Sequence, residues 1–174
     1  MQDDITDMTQ VTDEIENRFG RNPIAMYLWH ENVMQGRYGS MRNLIHDLEY
    51  GHCAAGSFSG MIYTRDIRDK LRDDDWLDYI EEAINEYADA TGETPDLARD
   101  GFHIDSLVTF AVDWYSDELA RFLQSQRFYV VTIPCDSLDP SPDKIVFLYH
   151  DDMQDYIAEN VEDPELITIE EETF

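Results

Sequence analysis

Phe128-Tyr129-Val130-Val131-Thr132-Ile133 and Lys144-Ile145-Val146-Phe147-Leu148-Tyr149 mark the place where the chain changes its period. Both runs are β-branched and aromatic, and a loop holding Pro134, Pro140 and Pro142 separates them, so they are expected to pair as antiparallel strands. Upstream, apolar residues recur at three- and four-residue spacing instead. Over residues 104–126, Leu107, Phe110, Ala111, Trp114, Leu119, Phe122 and Leu123 form one stripe and predict a long helix, with Asp105, Asp113, Asp117 and Glu118 on its outer side. Residues 73–90 predict another, with Trp76, Ile80, Ala83, Ile84 and Tyr87 inward and cap candidates in Asp73, Asp74 and Asp75; Gly92 and Pro95 end it. Shorter helices are expected over 23–34 and 40–50, separated by Gly36 and Gly39. Beyond the strand pair, residues 151–160 read as a short helix and Leu166-Ile167-Thr168-Ile169 as a third strand. The expectation is one α+β domain over 1–174. Its body is mainly helical over about 12–126, and a small C-terminal antiparallel β-sheet lies in an acidic part over about 127–174.

Charge is the second signal. The 174 residues carry 39 Asp and Glu against 12 Lys and Arg, a formal charge of -27, yet 43% are hydrophobic, enough for a real core. The acid lies in blocks. Residues 1–17 hold six acids and no Lys or Arg, residues 73–98 ten and none, and residues 145–174 again ten and none, whereas residues 18–72 hold eight bases against five acids. A surface evolved only for solubility would mix both signs, because like charges repel. On the helix over 73–90, Asp78, Glu81, Glu82, Glu86 and Asp89 stand mostly three and four apart, where helical side chains are neighbours about 5–6 Å apart, with no Lys between them. This field argues against direct binding to nucleic acid or anionic membranes, both of which need Lys and Arg. No apolar run reaches the roughly 18 residues of a membrane span, and the start Met1-Gln2-Asp3-Asp4 lacks a signal-peptide pattern, so a cytoplasmic protein is expected.

The motifs that would carry chemistry fail one by one. Residues 51–60 pack three glycines, two serines, His52 and Cys53 into ten positions, but the centre of the Gly56 to Gly60 pentad is Phe58 where a nucleophile elbow needs Ser. His52 and Cys53 are adjacent, and adjacent side chains point apart on a helix or strand, so they make a poor catalytic pair. The segment also lacks the lysine of a phosphate-binding loop. Close packing of small residues around a buried thiol is the simpler reading. His46, Asp47, Glu49 and His52 lack zincin or EF-hand spacing, and Cys53 with Cys135 cannot fill a tetrahedral zinc site. Trp29, Trp76 and Trp114 sit in apolar stripes and read as core anchors. No enzyme activity, metal or cofactor is expected.

The spacing Cys53-x-x-Gly56-x-x-Ser59-x-x-Ile62-Tyr63-x-x-Asp66, followed by an acidic helix and Phe110-Ala111-Val112-Asp113-Trp114, resembles a small domain of unknown function in phage and mobile-element proteins. That family carries a pattern of the type H-G-C-x-S-G-x-x-S-x-x-I-Y-Y-x-D. Here the order is Gly51-His52, Ala55 stands at the family's Ser and Thr64 at its second Tyr. The resemblance covers about residues 45–122. It implies a viral setting and no catalytic residues.

In charge character the chain also resembles the DNA mimics that phages use against CRISPR effectors and restriction enzymes. Duplex DNA presents one phosphate per about 1.7 Å of axis to a Lys/Arg groove. Carboxylates held in rows on helices present the same sign at similar coarse spacing. The expected partner is therefore the basic DNA-binding groove of a host nuclease or CRISPR effector complex. The expected contact residues are Asp74, Asp75, Asp78, Glu81, Glu82, Glu86 and Asp89, with Asp151, Asp152, Asp155, Glu159 and Glu162 as a second block. Three other readings compete. One is halophilic adaptation, which two lysines among twelve bases would fit but fourteen isoleucines and seven methionines fit less well. The others are a phage accessory protein whose acid is only solubilising, and a small enzyme using Cys53 and His52.

Overall fold

A computed structural model describes residues 4–35, 38–50, 66–67, 69–70, 76–94, 104–134 and 143–174. The architecture is α+β, a mostly helical body joined to a three-stranded antiparallel sheet at the C-terminal end. Helices α1 (Thr9–Phe19), α2 (Pro23–Gln35) and α3 (Met41–Tyr50) come first. They are followed by α4 (Leu77–Thr91) and the long α5 (Ile104–Gln124). Strands β1 (Phe128–Ile133) and β2 (Asp143–Phe147), helix α6 (His150–Asn160), a 3-10 turn (Pro164–Leu166) and strand β3 (Thr168–Glu172) complete the chain.

Helix α5 is the post around which the body is built, since α2, α3 and α4 all pack on it. Its stripe buries Val108, Ala111, Val112, Tyr115, Leu119 and Leu123 against Ile24, Leu28 and Trp29 of α2, Leu44 and Leu48 of α3, and Ile80 and Ala83 of α4. Each large apolar side chain removed from water in this way contributes about 1.5–3 kcal/mol before chain entropy is charged against it. Trp29 is fully buried, as its place in the stripe predicts, and its indole N–H donates to Thr12 Oγ1 at 3.1 Å.

The sheet order is β2-β1-β3, with both neighbours antiparallel to β1. Register fixes the faces. Tyr129 pairs with Phe147 and Glu171, and Val131 with Ile145 and Ile169, so these residues share one face. That face is covered by Met153 and Ile157 of α6. Phe128, Val130 and Val146 lie on the other face and join the helical core. Strand β1 is thus covered on both sides, which is why its sequence is an almost unbroken apolar run. The outer edge of β2 is covered too. Thr6 and Asp7 donate their amides to the Lys144 carbonyl at 2.8 and 3.2 Å, and Val146 N–H returns a bond to Asp7 O at 3.1 Å.

Several boundaries differ from the sequence expectation. Helix α1 starts at Thr9, ahead of the expected helical body, with Val11 and Ile15 as its buried anchors. The third strand falls two to three residues later than expected, because Pro164 opens a 3-10 turn that takes up Leu166. Helix α4 begins at Leu77, with Trp76 as a cap that offers no side-chain bond, while the cap candidates Asp73, Asp74 and Asp75 lie outside the described residues. It ends where expected, at Gly92, whose φ of 71° only glycine adopts freely. Helix α5 stops at Gln124, two residues early.

Candidate functional site

Asp74 and Asp75 lie outside the described residues, and the other expected contact residues divide between two parts of the molecule. Helix α4 lies on α5, and α6 lies on β2. Asp78, Glu81, Glu82 and Asp89 are exposed on α4. Glu86 is not the water-facing member of the ladder that the sequence predicts. It is half-buried, and its Oε2 accepts the indole N–H of Trp114 at 2.8 Å, because Trp114 and Phe110 project from α5 beneath the second half of α4. Tyr87 closes this contact edge-on, with ring centroids 5.8 Å from Trp114 and 5.3 Å from Phe110. Burial raises the Glu86 carboxyl above the ordinary carboxylate range; the Trp114 bond opposes that shift, and the Glu82 and Glu118 carboxylates add to it.

Beside Glu86 lies a groove of about 580 Å³ that the sequence does not reveal. Glu82, Asp89 and Glu118 line it together with Arg18, Arg21 and Arg121. Arg121 pairs with Glu118, and the Arg18 guanidinium lies 4.5 Å from the Phe122 ring centroid. The floor is polar and closed. Asn22 Nδ2 donates to the Tyr115 hydroxyl at 2.6 Å, and its Oδ1 accepts from the amides of Ile24 and Ala25 at 3.0 and 3.2 Å. Burial, then the Glu86, Glu82 and Glu118 carboxylates, push the Tyr115 phenol far above its usual range, so it stays neutral. Asn22 before Pro23 is a signal in the sequence that would have found this residue, Asn at the cap and Pro at the first helical position, and the expectation of a helix over 23–34 did not include it. The arginines came from sequence blocks distant from the ladder, and nothing local announced them. Tertiary structure therefore sets three positive charges beside the inner side of α4.

Helix α6 differs. Asp151, Asp152, Asp155 and Glu159 are all exposed, and Glu162 follows just beyond its end, also exposed. Asp151 with Asp155 and Asp155 with Glu159 stand four apart, and Asp152 with Asp155 three apart, so adjacent carboxylates are neighbours about 5–6 Å apart. Residues 145–174 contain no Lys or Arg. The N-terminal acid block joins them. Gln10 Nε2 of α1 donates to Asp152 Oδ2 at 2.7 Å, and Tyr149 O–H donates to Glu14 Oε2 at 3.2 Å. The Glu14 carboxylate first, and Asp152 to a smaller degree, hold the Tyr149 phenol above its usual range. Two blocks that are more than 130 residues apart in sequence thus form one acidic face.

The catalytic alternative falls outside the described residues, since His52, Cys53 and Cys135 all lie there. Of the residues from Cys53 to Asp66 on which the expected phage-type resemblance rests, only Asp66 is described; it accepts a hydrogen bond from the Tyr27 hydroxyl at 2.9 Å. His46 is exposed, with its Nδ1 3.9 Å from Asp47 Oδ1. No helix among the described residues is long and apolar enough to cross a membrane. No family model, no curated protein and no solved structure matches the chain.

Proposed function

We propose that this protein is a DNA mimic that occupies the basic DNA-binding groove of a host defence complex, an anti-CRISPR or an anti-restriction inhibitor. The observation that carries the reading is the α6 face. Four exposed carboxylates stand on a supported helix, Glu14 of α1 extends the row, and no Lys or Arg of the last thirty residues relieves it. A helix of eleven residues spans about 16 Å, comparable to the stretch of duplex that a groove grips over several phosphates. Support beneath the row matters as much as its charge. Met153 and Ile157 anchor α6 to the sheet, so the carboxylates are presented without a large ordering cost on binding.

Helix α6 ranks above α4 as the contact surface. The α4 ladder shares a groove with Arg18, Arg21 and Arg121, which weaken its field, and Glu86 is engaged by Trp114. The viral setting of this reading comes from the resemblance of residues 45–122 to the phage-type domain.

The test is displacement of duplex DNA. A bacterial DNA-binding complex retained by the immobilised protein at low salt, and released at high salt, is purified and loaded with labelled duplex. Wild-type protein is expected to release the duplex competitively, with affinity that falls steeply as salt rises. The variant D151K/D152K/D155K/E159K is expected to lose at least a hundredfold in potency while keeping its fold. Inhibition while DNA remains bound would replace mimicry with an allosteric mechanism, and equal potency of the variant would remove α6 from the surface.

A further inference from the structure

Among the described residues, nothing pairs with the outer edge of strand β3 at the side of the sheet. The other edge of the sheet is closed: residues 6–7 run along the outer side of β2, and β1 lies between the two edge strands. On its inner side β3 pairs with β1 from Thr168 to Glu172. On its outer side no backbone bond is made to any described residue. Thr168, Ile169, Glu170 and Glu171 are all exposed. An open strand edge of this kind is a template for a further strand.

We infer that the outer edge of β3 accepts an extended basic segment of another protein as a fourth strand. Two features choose the occupant. The first is charge. Glu170 projects to one face of the sheet and Glu171 to the other, so an added strand meets carboxylates on both faces; Glu172, on the Glu170 side, is half-buried and its Oε2 accepts the Met41 amide at 3.0 Å. Glu171 already has a partner in Arg127 at 3.0 Å, which shows how a guanidinium is received there, whereas Glu170 makes no ion pair with a described residue. The second feature is an apolar step beside that row. Ile169 is 45% exposed and Leu166 64%, while α6 packs on β2. A segment alternating a cation with a branched apolar residue satisfies both, each cation facing a carboxylate and each apolar side chain extending the Val131 and Ile169 row. A second copy of this chain does not fit. Two-fold edge-to-edge pairing of two β3 strands about Glu171 would set Glu171 against Glu171 and Glu170 against Glu172, and like charges directly opposite one another are destabilising.

This inference stands apart from DNA mimicry, because its readout is backbone exchange at β3 and not the fate of DNA. The probe is a ten-residue peptide alternating Lys and Val, added to the full chain in 0.15 M salt. Its control is the same peptide with the six central amides N-methylated, which keeps the charge and removes the backbone donors. The unmodified peptide is expected to slow hydrogen exchange of the outward-facing β3 amides at least tenfold, and the control to leave them unchanged. Replacing Glu170 by Lys should weaken peptide binding about tenfold, and Ile169→Pro, which takes a donor and the strand geometry from the edge, should abolish the protection. If Ile169→Pro unsettles the sheet, the E170K variant and the methylated peptide still decide. Equal binding of the two peptides, or protection on α4 and α6 without β3, would overturn the inference, as would no binding at all.

Discussion

The side chain of Asn22 ties the start of α2 to the middle of α5: its amide donates to the Tyr115 hydroxyl at 2.6 Å while its oxygen caps the amides of Ile24 and Ala25. Asn22→Leu removes the cap, worth about 1 kcal/mol, and leaves the buried Tyr115 oxygen without its donor, worth a further 1–3 kcal/mol or so. Asn22→Ser keeps an oxygen at the cap and forfeits only the Tyr115 contact. Urea denaturation should order the stabilities as wild type, Asn22→Ser, Asn22→Leu. Equal loss in the two variants would show that the cap adds nothing beyond the Tyr115 bond.

Glu86 makes stability depend on pH with a definite sign. Its folded-state value is raised, so the native protein holds the proton more tightly than the unfolded chain. The penalty for its charge is complete above the folded value and absent below the unfolded one. Stability should therefore rise as pH falls through the raised value toward the ordinary carboxylate range. Gln keeps an oxygen for Trp114 and cannot ionise. Glu86→Gln should melt higher than wild type at neutral pH and show a shallower rise on acidification, a comparison that separates this residue from the general relief of self-repulsion. Parallel pH profiles would exclude Glu86 as a source.

Two carboxylates of the α4 ladder should respond oppositely to charge reversal. Asp89 is exposed in the last turn, where the helix dipole favours a cation, and stands three residues from Glu86. Asp89→Lys is expected to stabilise by about 0.3–1 kcal/mol at low salt. Glu86→Lys removes the acceptor of the Trp114 indole and sets a half-buried ammonium in its place, so it should destabilise. Thermal melts of both variants at 20 and 500 mM salt check this, and the gain from Asp89→Lys should shrink in the higher salt.

Gln10 acts on α6 from outside it. Its Oε1 accepts from the amides of Leu148 and Tyr149 at 2.6 and 3.2 Å, and its Nε2 reaches Asp152. Gln10→Leu should destabilise by about 1–3 kcal/mol and speed hydrogen exchange at the start of α6 more than in α5. Uniform acceleration through the molecule would mean that α6 does not open on its own.

Tyr149 reports the junction of the two acid blocks. With its ring carbon labelled for NMR, it should titrate above an ordinary tyrosine, and Glu14→Gln should bring it down. Added salt should lower it as well, since the residue is exposed. A titration unmoved by Glu14→Gln would separate Glu14 from the α6 face.

What the sequence determined by itself is what short-range pattern controls. The three-and-four stripe of α5, the β-branched run of β1, the Gly92 stop and the block structure of the charge all depend on residues within a few positions of one another, so local sterics and periodicity suffice to read them. Helix α1 was less legible because two buried residues, Val11 and Ile15, are too few to declare a period. Strand β3 was misplaced because Leu166 and Ile167 look like strand, whereas pairing along β1 is what extends Thr168 through three consecutive glutamates. Tertiary structure alone decided the rest. It put β1 between β2 and β3, brought Arg18, Arg21 and Arg121 beside the α4 ladder, turned Glu86 inward onto Trp114, and joined Glu14 to the α6 carboxylates. The physical reason is that charge and hydrogen bonding act through space, so the worth of a carboxylate depends on neighbours that the chain delivers from a hundred residues away.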